Sequence, residues 1–204
     1  RKNEDLISVD LSDNQQNALN QIQQSFESKE VVLLHGVTSS GKTEIFIKLI
    51  QDVIARGEQV LYLLPEIALT TQIINRLRKH FGDKVGVYHS KFNNNERGEI
   101  WSEVLNANRF PIVLGTRSSI FLPYQNLGLI VVDEEHESSF RQENPSPRYN
   151  ARDVALVRGK KSNALVLLSS ATPSLETYYN CIMDKIKYLS LPKRFGKSRH
   201  PRVH

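Results

Sequence analysis

The sequence predicts an α/β fold, three layers deep, with a mainly parallel central sheet. Two observations predict it. Short apolar runs recur at Val31-Leu34, Val60-Leu64, Val85-Val87, Ile112-Leu114, Leu129-Val132 and Leu165-Leu168. Each is too short for a helix and too uniformly apolar for a strand with one wet face, so each reads as a parallel strand buried on both faces. Between them lie segments of helical spacing: Ile45, Phe46, Leu49, Ile50, Val53 and Ile54 form one stripe, and Leu69, Ile73 and Leu77 another. Strand–helix alternation of this kind covers a sheet on both sides.

The elements follow in order. Residues 1–10 read as the end of a linker. From Ser12 the pattern turns helical, with Ser12-Asp13-Asn14-Gln15 as a capping box ahead of Leu19, Ile22 and Phe26 on one face. Trp101 shares a helical stripe with Val104 and Leu105 and is expected in the core, and His89 is expected to be structural. Cys181 lies on an apolar helical stretch with Tyr178 and Ile182 and is expected to be a packed thiol. The tail 192–204 carries three Arg, two Lys and two His with little to bury, and reads as an exit linker. One lobe over residues 11–191 is therefore expected between two linkers.

Composition narrows the class. The 204 residues suffice for one substantial domain. No apolar run approaches the ~20 residues of a membrane span, so no membrane partner is expected. A single cysteine builds neither an internal disulfide nor a zinc site, which fits a reducing, cytoplasmic home. A net charge of +5 and a pI near 9.3 favour a polyanionic partner.

Two motifs carry chemistry. Gly36-Val37-Thr38-Ser39-Ser40-Gly41-Lys42-Thr43 fits G-x-x-x-x-G-K-[ST], with an apolar strand before it and an amphipathic helix after it. Such a loop wraps a triphosphate with backbone N–H groups at a helix N-terminus. Lys42 would reach the β- and γ-phosphates, and the Thr43 hydroxyl would ligate Mg²⁺. About ninety residues on, the strand Leu129-Val132 runs into Asp133-Glu134-Glu135-His136. Carboxylates at the C-terminal end of a buried parallel strand face the ligand crevice. Asp133 would hold Mg²⁺ through water, and Glu134 would orient and deprotonate the attacking water. Together the two motifs predict ATP hydrolysis with Mg²⁺.

The phosphate loop and Asp-Glu-Glu-His together resemble the superfamily-two helicases of the DEAD/DEAH kind, whose motor lobes are RecA-like. Pro65-Glu66-Ile67-Ala68-Leu69-Thr70-Thr71-Gln72 is similar to the first DNA-contacting motif of these proteins, and Gly115-Thr116-Arg117-Ser118-Ser119-Ile120-Phe121 to the second. Ser169-Ser170-Ala171-Thr172-Pro173 resembles the Ser-Ala-Thr motif that couples nucleotide state to DNA movement. Gln15, after Leu11, resembles the glutamine that reads adenine, a role compatible with its place in the capping box. Longer blocks narrow the resemblance to the replication-restart helicases of the primosome. These are Gly36 to Glu44, Tyr88-His89-Ser90 with Arg97 and Trp101, Gly115 to Pro123, Leu127 to Phe140, Arg148 to Asp153 and Ser170 to Glu176. Ser39 stands where that family commonly has glycine.

The resemblance implies further expectations. Single-stranded and forked DNA would be the partner, with other primosome proteins and single-strand-binding protein beside it. Pro65, Glu66, Thr70, Thr116, Arg117, Ser118, His136, Phe140, Tyr149, Arg152, Ser170 and Thr172 are the expected DNA-contacting or coupling residues. Among them Arg117 would meet a phosphate, with Thr116 and Ser118 as hydroxyl donors. Phe140 and Tyr149 would either stack on bases from an aromatic loop, at ~1–3 kcal/mol per ring, or pin that loop to the domain surface. Zinc-binding cysteines and arginine fingers would belong to a second lobe beyond this sequence, which is expected to be a fragment. Three other readings compete: a DNA translocase without strand separation, a P-loop kinase or NTPase on small molecules, and a non-enzymatic DNA-binding module. The kinase reading leaves Thr116-Arg117-Ser118 and the Ser-Ala-Thr motif unexplained.

Overall fold

The computed structural model describes residues 9–28, 31–37, 40–89, 92–106 and 109–191. Thr38 and Ser39 of the phosphate loop, the linker residues 1–8 and the tail 192–204 lie outside the described residues.

A seven-stranded sheet forms the middle layer, in the order β3-β4-β2-β5-β8-β1-β9, and every pairing in it is parallel. Its strands are β1 (Val32–Gly36), β2 (Gln59–Leu63), β3 (Val85–Tyr88), β4 (Ile112–Gly115), β5 (Leu127–Asp133), β8 (Leu165–Ser170) and β9 (Lys187–Leu191). Two short strands, β6 (Arg141–Gln142) and β7 (Tyr149–Asn150), pair antiparallel as a separate hairpin after the acidic box.

The continuous apolar runs are explained by burial on both faces. Side chains alternate across the sheet. Val32 and Leu34 of β1, Val60 and Tyr62 of β2, and Leu129 and Val131 of β5 enter one cluster, covered by α1 (Asp13–Glu27), α2 (Lys42–Ala55) and α3 (Thr71–Phe81). Leu33, Leu61, Leu63, Ile130 and Val132 enter the other, covered by α4 (Asn94–Leu105) and α5 (Ala151–Ser162). The sixth helix, α6 (Leu175–Ile182), follows β8. The expected layers are therefore present, and among the described residues no helix is long and apolar enough to cross a membrane.

Local chemistry sets the helix starts. Ser12 caps α1 through a complete capping box, its hydroxyl accepting from Gln15 N–H while Gln15 Oε1 accepts from Ser12 N–H at 2.8 Å. Asn93 and Glu96 do the same for α4. Trp101 is not in the core: it is 48% exposed. α4 turns Ile100 and Val104 inward, four residues apart, and Trp101 sits ~100° further round the helix. Leu69 precedes α3 instead of belonging to it, although it still packs against the core.

Candidate nucleotide-binding site

Strand β1 delivers the phosphate loop, and β5 and β8 deliver the acidic box and the Ser-Ala-Thr segment at the same C-terminal edge of the sheet. Two glycines shape the loop. Gly41 takes φ 79°, a left-handed conformation that a side chain resists, and a Cβ there would collide with Gln15 Nε2. A Cβ on Gly36 would stand 2.8 Å from Ser40 Oγ and 3.0 Å from Lys42 Cδ. Lys42 opens α2, and its ammonium donates to the Gly36 carbonyl at 2.8 Å while lying 3.7 Å from Glu134 Oε1. Gln15 Nε2 donates to the Gly41 carbonyl at 3.0 Å, so the residue that completes the α1 capping box also braces the loop. Ser40 Oγ is buried without a hydrogen-bond partner among the described residues. A buried orphan hydroxyl is costly; beside a glycine cradle and a lysine it fits an incoming phosphate oxygen. The residues present therefore suit a Mg²⁺–nucleotide, whose metal takes one or two protein ligands together with phosphate oxygens and water.

The acidic box separates its two glutamates by a backbone turn. Glu134 adopts φ 50°, which costs a non-glycine residue about 1–2 kcal/mol. The turn leaves the Glu134 side chain 35% exposed, facing Lys42, and sends Glu135 inward with a side chain that is 0% exposed. Asp133 accepts from the Tyr62 hydroxyl on Oδ2 at 3.0 Å and from the Glu134 N–H on Oδ1 at 3.1 Å. Burial raises the Asp133 pKa above its ordinary value, the Glu134 charge adds to this, and Lys42 and Tyr62 oppose it.

Glu135 is held from three sides. Oε1 accepts the Ser174 N–H at 2.7 Å; Oε2 accepts Arg152 Nη1 at 3.2 Å, the Ser174 hydroxyl at 3.0 Å and the Thr177 hydroxyl at 2.8 Å. Burial works against the Arg152 charge, but its bonds to Asp153 and Glu135 outweigh that and raise its pKa. Arg152, expected to contact DNA or to couple, is engaged within the lobe, where it ties α5 to the acidic box. Removing one partner of a buried pair costs ~3–5 kcal/mol. Arg152→Ala should lose about 3 kcal/mol, the low end of that range, because Ser174 and Thr177 still serve Glu135. Urea unfolding checks this, and a loss under ~1 kcal/mol, ordinary for an exposed pair, would contradict it.

His136 Nδ1 lies 2.7 Å from the Ser170 hydroxyl, which also accepts the Thr172 N–H at 2.9 Å. Acidic box and Ser-Ala-Thr segment are therefore in direct contact. Cys181 is half-buried, and burial first, then Glu135, raises its thiol pKa, as a packed, unreactive thiol requires. The helix around it is wetter than expected, with Ile182 68% exposed.

The expected DNA face divides. Glu66, Thr70 and Thr172 are exposed, Ser118 is half-buried and Pro65 is buried. Thr116 is buried, so its expected role as a hydroxyl donor to a phosphate is corrected; its carbonyl instead accepts the Ser119 hydroxyl at 2.6 Å. Arg117 Nη1 donates to the carbonyls of Ser139 and Arg141 at 3.2 and 3.0 Å, which pins the β6–β7 hairpin beside a 580 Å³ cleft that both arginines help to line. Phe140 is buried, and as a base-stacking residue it is corrected: the turn Ser138–Phe140 folds its ring into the core under α5. Burying a phenylalanine is worth about 1.5–3 kcal/mol, more than exposure for stacking would repay in the free protein. Phe121, which sequence reasoning did not single out, supplies the exposed aromatic, meeting Tyr149 edge-on at 4.9 Å. Tyr62 and Thr177 were also missed; the one available signal was a tyrosine inside an otherwise aliphatic strand.

This site is a phosphate loop joined by a lysine to an acidic strand end, on a parallel sheet. The DEAD/DEAH box helicase family model matches residues 12–180, and the chain belongs to that family. It is similar to the replication restart protein PriA of Chlamydia trachomatis, 46% identical over 195 residues, covering 95% of this chain and 26% of that protein. The corresponding protein of Bacillus subtilis is 43% identical, covering 95% of this chain and 24% of its own length. The chain thus spans about a quarter of the curated relatives it matches. Among solved structures, RecG bound to a three-way DNA junction superposes with a TM-score of 0.67 at 22% identity, covering 95% of this chain and 25% of that one. The helicase MrfA bound to DNA gives 0.64 at 20% identity, covering 90% and 26%. These likenesses place the fold among RecA-like helicase lobes.

Proposed function

We propose that this chain is the ATP-binding motor lobe of an ATP-dependent DNA helicase that acts in replication restart at stalled forks. The observation that carries the reading is Lys42, whose ammonium spans from the Gly36 carbonyl to Glu134 and so joins phosphate loop and acidic box. On nucleotide binding Lys42 exchanges the Gly36 carbonyl for the β- and γ-phosphates, while backbone N–H groups of the loop cradle the chain of phosphates. Thr43, and Asp133 through water, would hold Mg²⁺, which would supply positive charge to offset that of the phosphates. Glu134 orients a water and takes its proton. Gln15 reads adenine while it braces Gly41.

Coupling runs from Glu134 to His136 and Ser170, and from Ser170 to the exposed Thr172. Single-stranded or forked DNA lies over Glu66, Thr70, Ser118, Arg117 and Tyr149, with Phe121 beside Tyr149. In this reading primosome proteins and single-strand-binding protein are partners of the whole protein, and zinc belongs to its second lobe. Lys42→Ala tests the reading. It should weaken ADP binding tenfold or more, about 1.4 kcal/mol, by removing a charge-assisted phosphate contact. Equal ADP affinity for wild type and variant in calorimetry would sink the assignment.

A further inference from the structure

Tyr62 is fully buried on β2, beside β5, and its hydroxyl spends its one proton on the metal-side carboxylate, Asp133 Oδ2, at 3.0 Å. The other oxygen, Oδ1, takes the Glu134 N–H at 3.1 Å. An aspartate's terminal torsion is broad and roughly two-fold, so a carboxylate left alone does not hold one plane. Two hydrogen bonds of defined geometry, one on each oxygen, fix that plane and leave remaining lone pairs for a metal-bound water, while the Ser169 side chain on the neighbouring strand also favours the charged carboxylate. One donor is backbone, present in any sequence; the other exists because residue 62 is tyrosine. The ring is itself held, meeting Phe46 of α2 edge-on at 5.7 Å and 88°. Phe46 lies on the helix that starts at Lys42, so the same tyrosine touches the element carrying the phosphate loop and the residue assigned to the metal.

We propose that Tyr62 is a positioning residue for the metal half of the site, setting the Asp133 carboxylate so that Mg²⁺ strengthens nucleotide binding. The inference rests on the nucleotide-binding reading above. Mg²⁺ demands near-ideal octahedral geometry, so a carboxylate that swings makes a poorer acceptor for its water. Outer partners of metal-binding groups are typically worth 10–100-fold in metal affinity. Acting through water, Tyr62 should stand at the low end.

The test is calorimetric titration of this chain with ADP, once in excess Mg²⁺ and once in EDTA, for wild type and Tyr62→Phe. Affinity in EDTA should agree within about twofold, while the gain conferred by Mg²⁺ should fall about tenfold in the variant. Direct Mn²⁺ binding in the presence of ADP, read by electron paramagnetic resonance, should weaken in parallel. Phe46→Leu keeps the hydroxyl and removes the ring contact; it should lower thermal stability and lose less of the Mg²⁺ gain than Tyr62→Phe, and an equal or greater loss would assign the effect to packing and overturn the proposal. In an Asp133→Asn background Tyr62→Phe should add nothing further. An unchanged Mg²⁺ gain in Tyr62→Phe, or an equal loss with and without metal, overturns the proposal. A wild type that binds ADP but gains nothing from Mg²⁺ removes the metal assignment and Tyr62 with it, whereas a wild type that binds no ADP at all overturns the nucleotide reading first.

Discussion

Replacing Glu134 by glutamine in the full-length protein is expected to leave ATP binding intact and to slow turnover by ~10²-fold or more. The sequence offers two adjacent glutamates for the base, and spacing alone does not choose between them. Geometry does. Both oxygens of Glu135 are taken by Arg152, Ser174 and Thr177, and its side chain is out of contact with water. Glu134 is one-third exposed and lies between Lys42 and His136, 3.7 Å from each. Its left-handed backbone is the kind of local cost that persists where a side chain must point into a site. Glutamine keeps the shape and the hydrogen-bonding reach but cannot accept the proton. Glu135→Gln should instead act on stability, since it removes the charge that Arg152 faces. Single-turnover hydrolysis and equilibrium ATP binding, measured on both variants, separate the two roles. Normal hydrolysis by Glu134→Gln would hand the base to a water relay, because Glu135 is not available to take it.

The residues differ in how far the sequence reveals them. The strands inside the sheet were legible because a strand buried on both faces has nowhere for a polar residue, and that pattern survives in one dimension. β9 was not. It is an edge strand paired only with β1, and Lys187-Tyr188-Leu189-Ser190-Leu191 alternates exposed and buried in the way a solvated loop also can. The phosphate loop and acidic box were legible because each packs its chemistry into a few consecutive residues. Gln15 was legible twice, as cap and as a nucleotide-side residue, and its amide does serve α1 and Gly41 together.

Contacts between distant segments account for the misses. Phe140 reads as a loop aromatic because its neighbours are Ser, Glu and Arg, yet it is buried in the cluster that holds Ile130 and Val132 of β5 and Ala151 and Ala155 of α5. The buried pairing of Arg152 is not visible locally because its partner Glu135 is seventeen residues away. Trp101 was placed on the right helix but the wrong face, since a stripe through Val104 and Leu105 leaves two phases open and Ile100 decides between them. In each case the local pattern gave the element and a tertiary partner gave the orientation.

The chain on its own is expected to bind ATP and to hydrolyse it ~10³–10⁵-fold more slowly than a full-length protein of this family, with single-stranded DNA adding little. Phosphoryl transfer gains that factor from an arginine that stabilises charge on the transferring group, and the helicase resemblance assigns such arginines to a second lobe. Three of the described arginines near the site are engaged within the lobe. Arg76 pairs with Glu44, Arg117 holds the carbonyls of Ser139 and Arg141, and Arg152 holds Glu135. Lys42 is the cation that reaches both the loop and the acidic box, and in the transition state it is already needed on the β- and γ-phosphates. DNA contact should be weak and fall steeply with salt, because phosphate neutralisation dominates binding where one lobe supplies only half a groove. Steady-state ATPase assays of this chain beside a full-length protein, with and without single-stranded DNA, measure the difference. Turnover by the chain within tenfold of the full-length rate would overturn the need for a second-lobe arginine, and Arg76, bound to the first turn of the loop's own helix, would be the first to replace in search of the catalytic one.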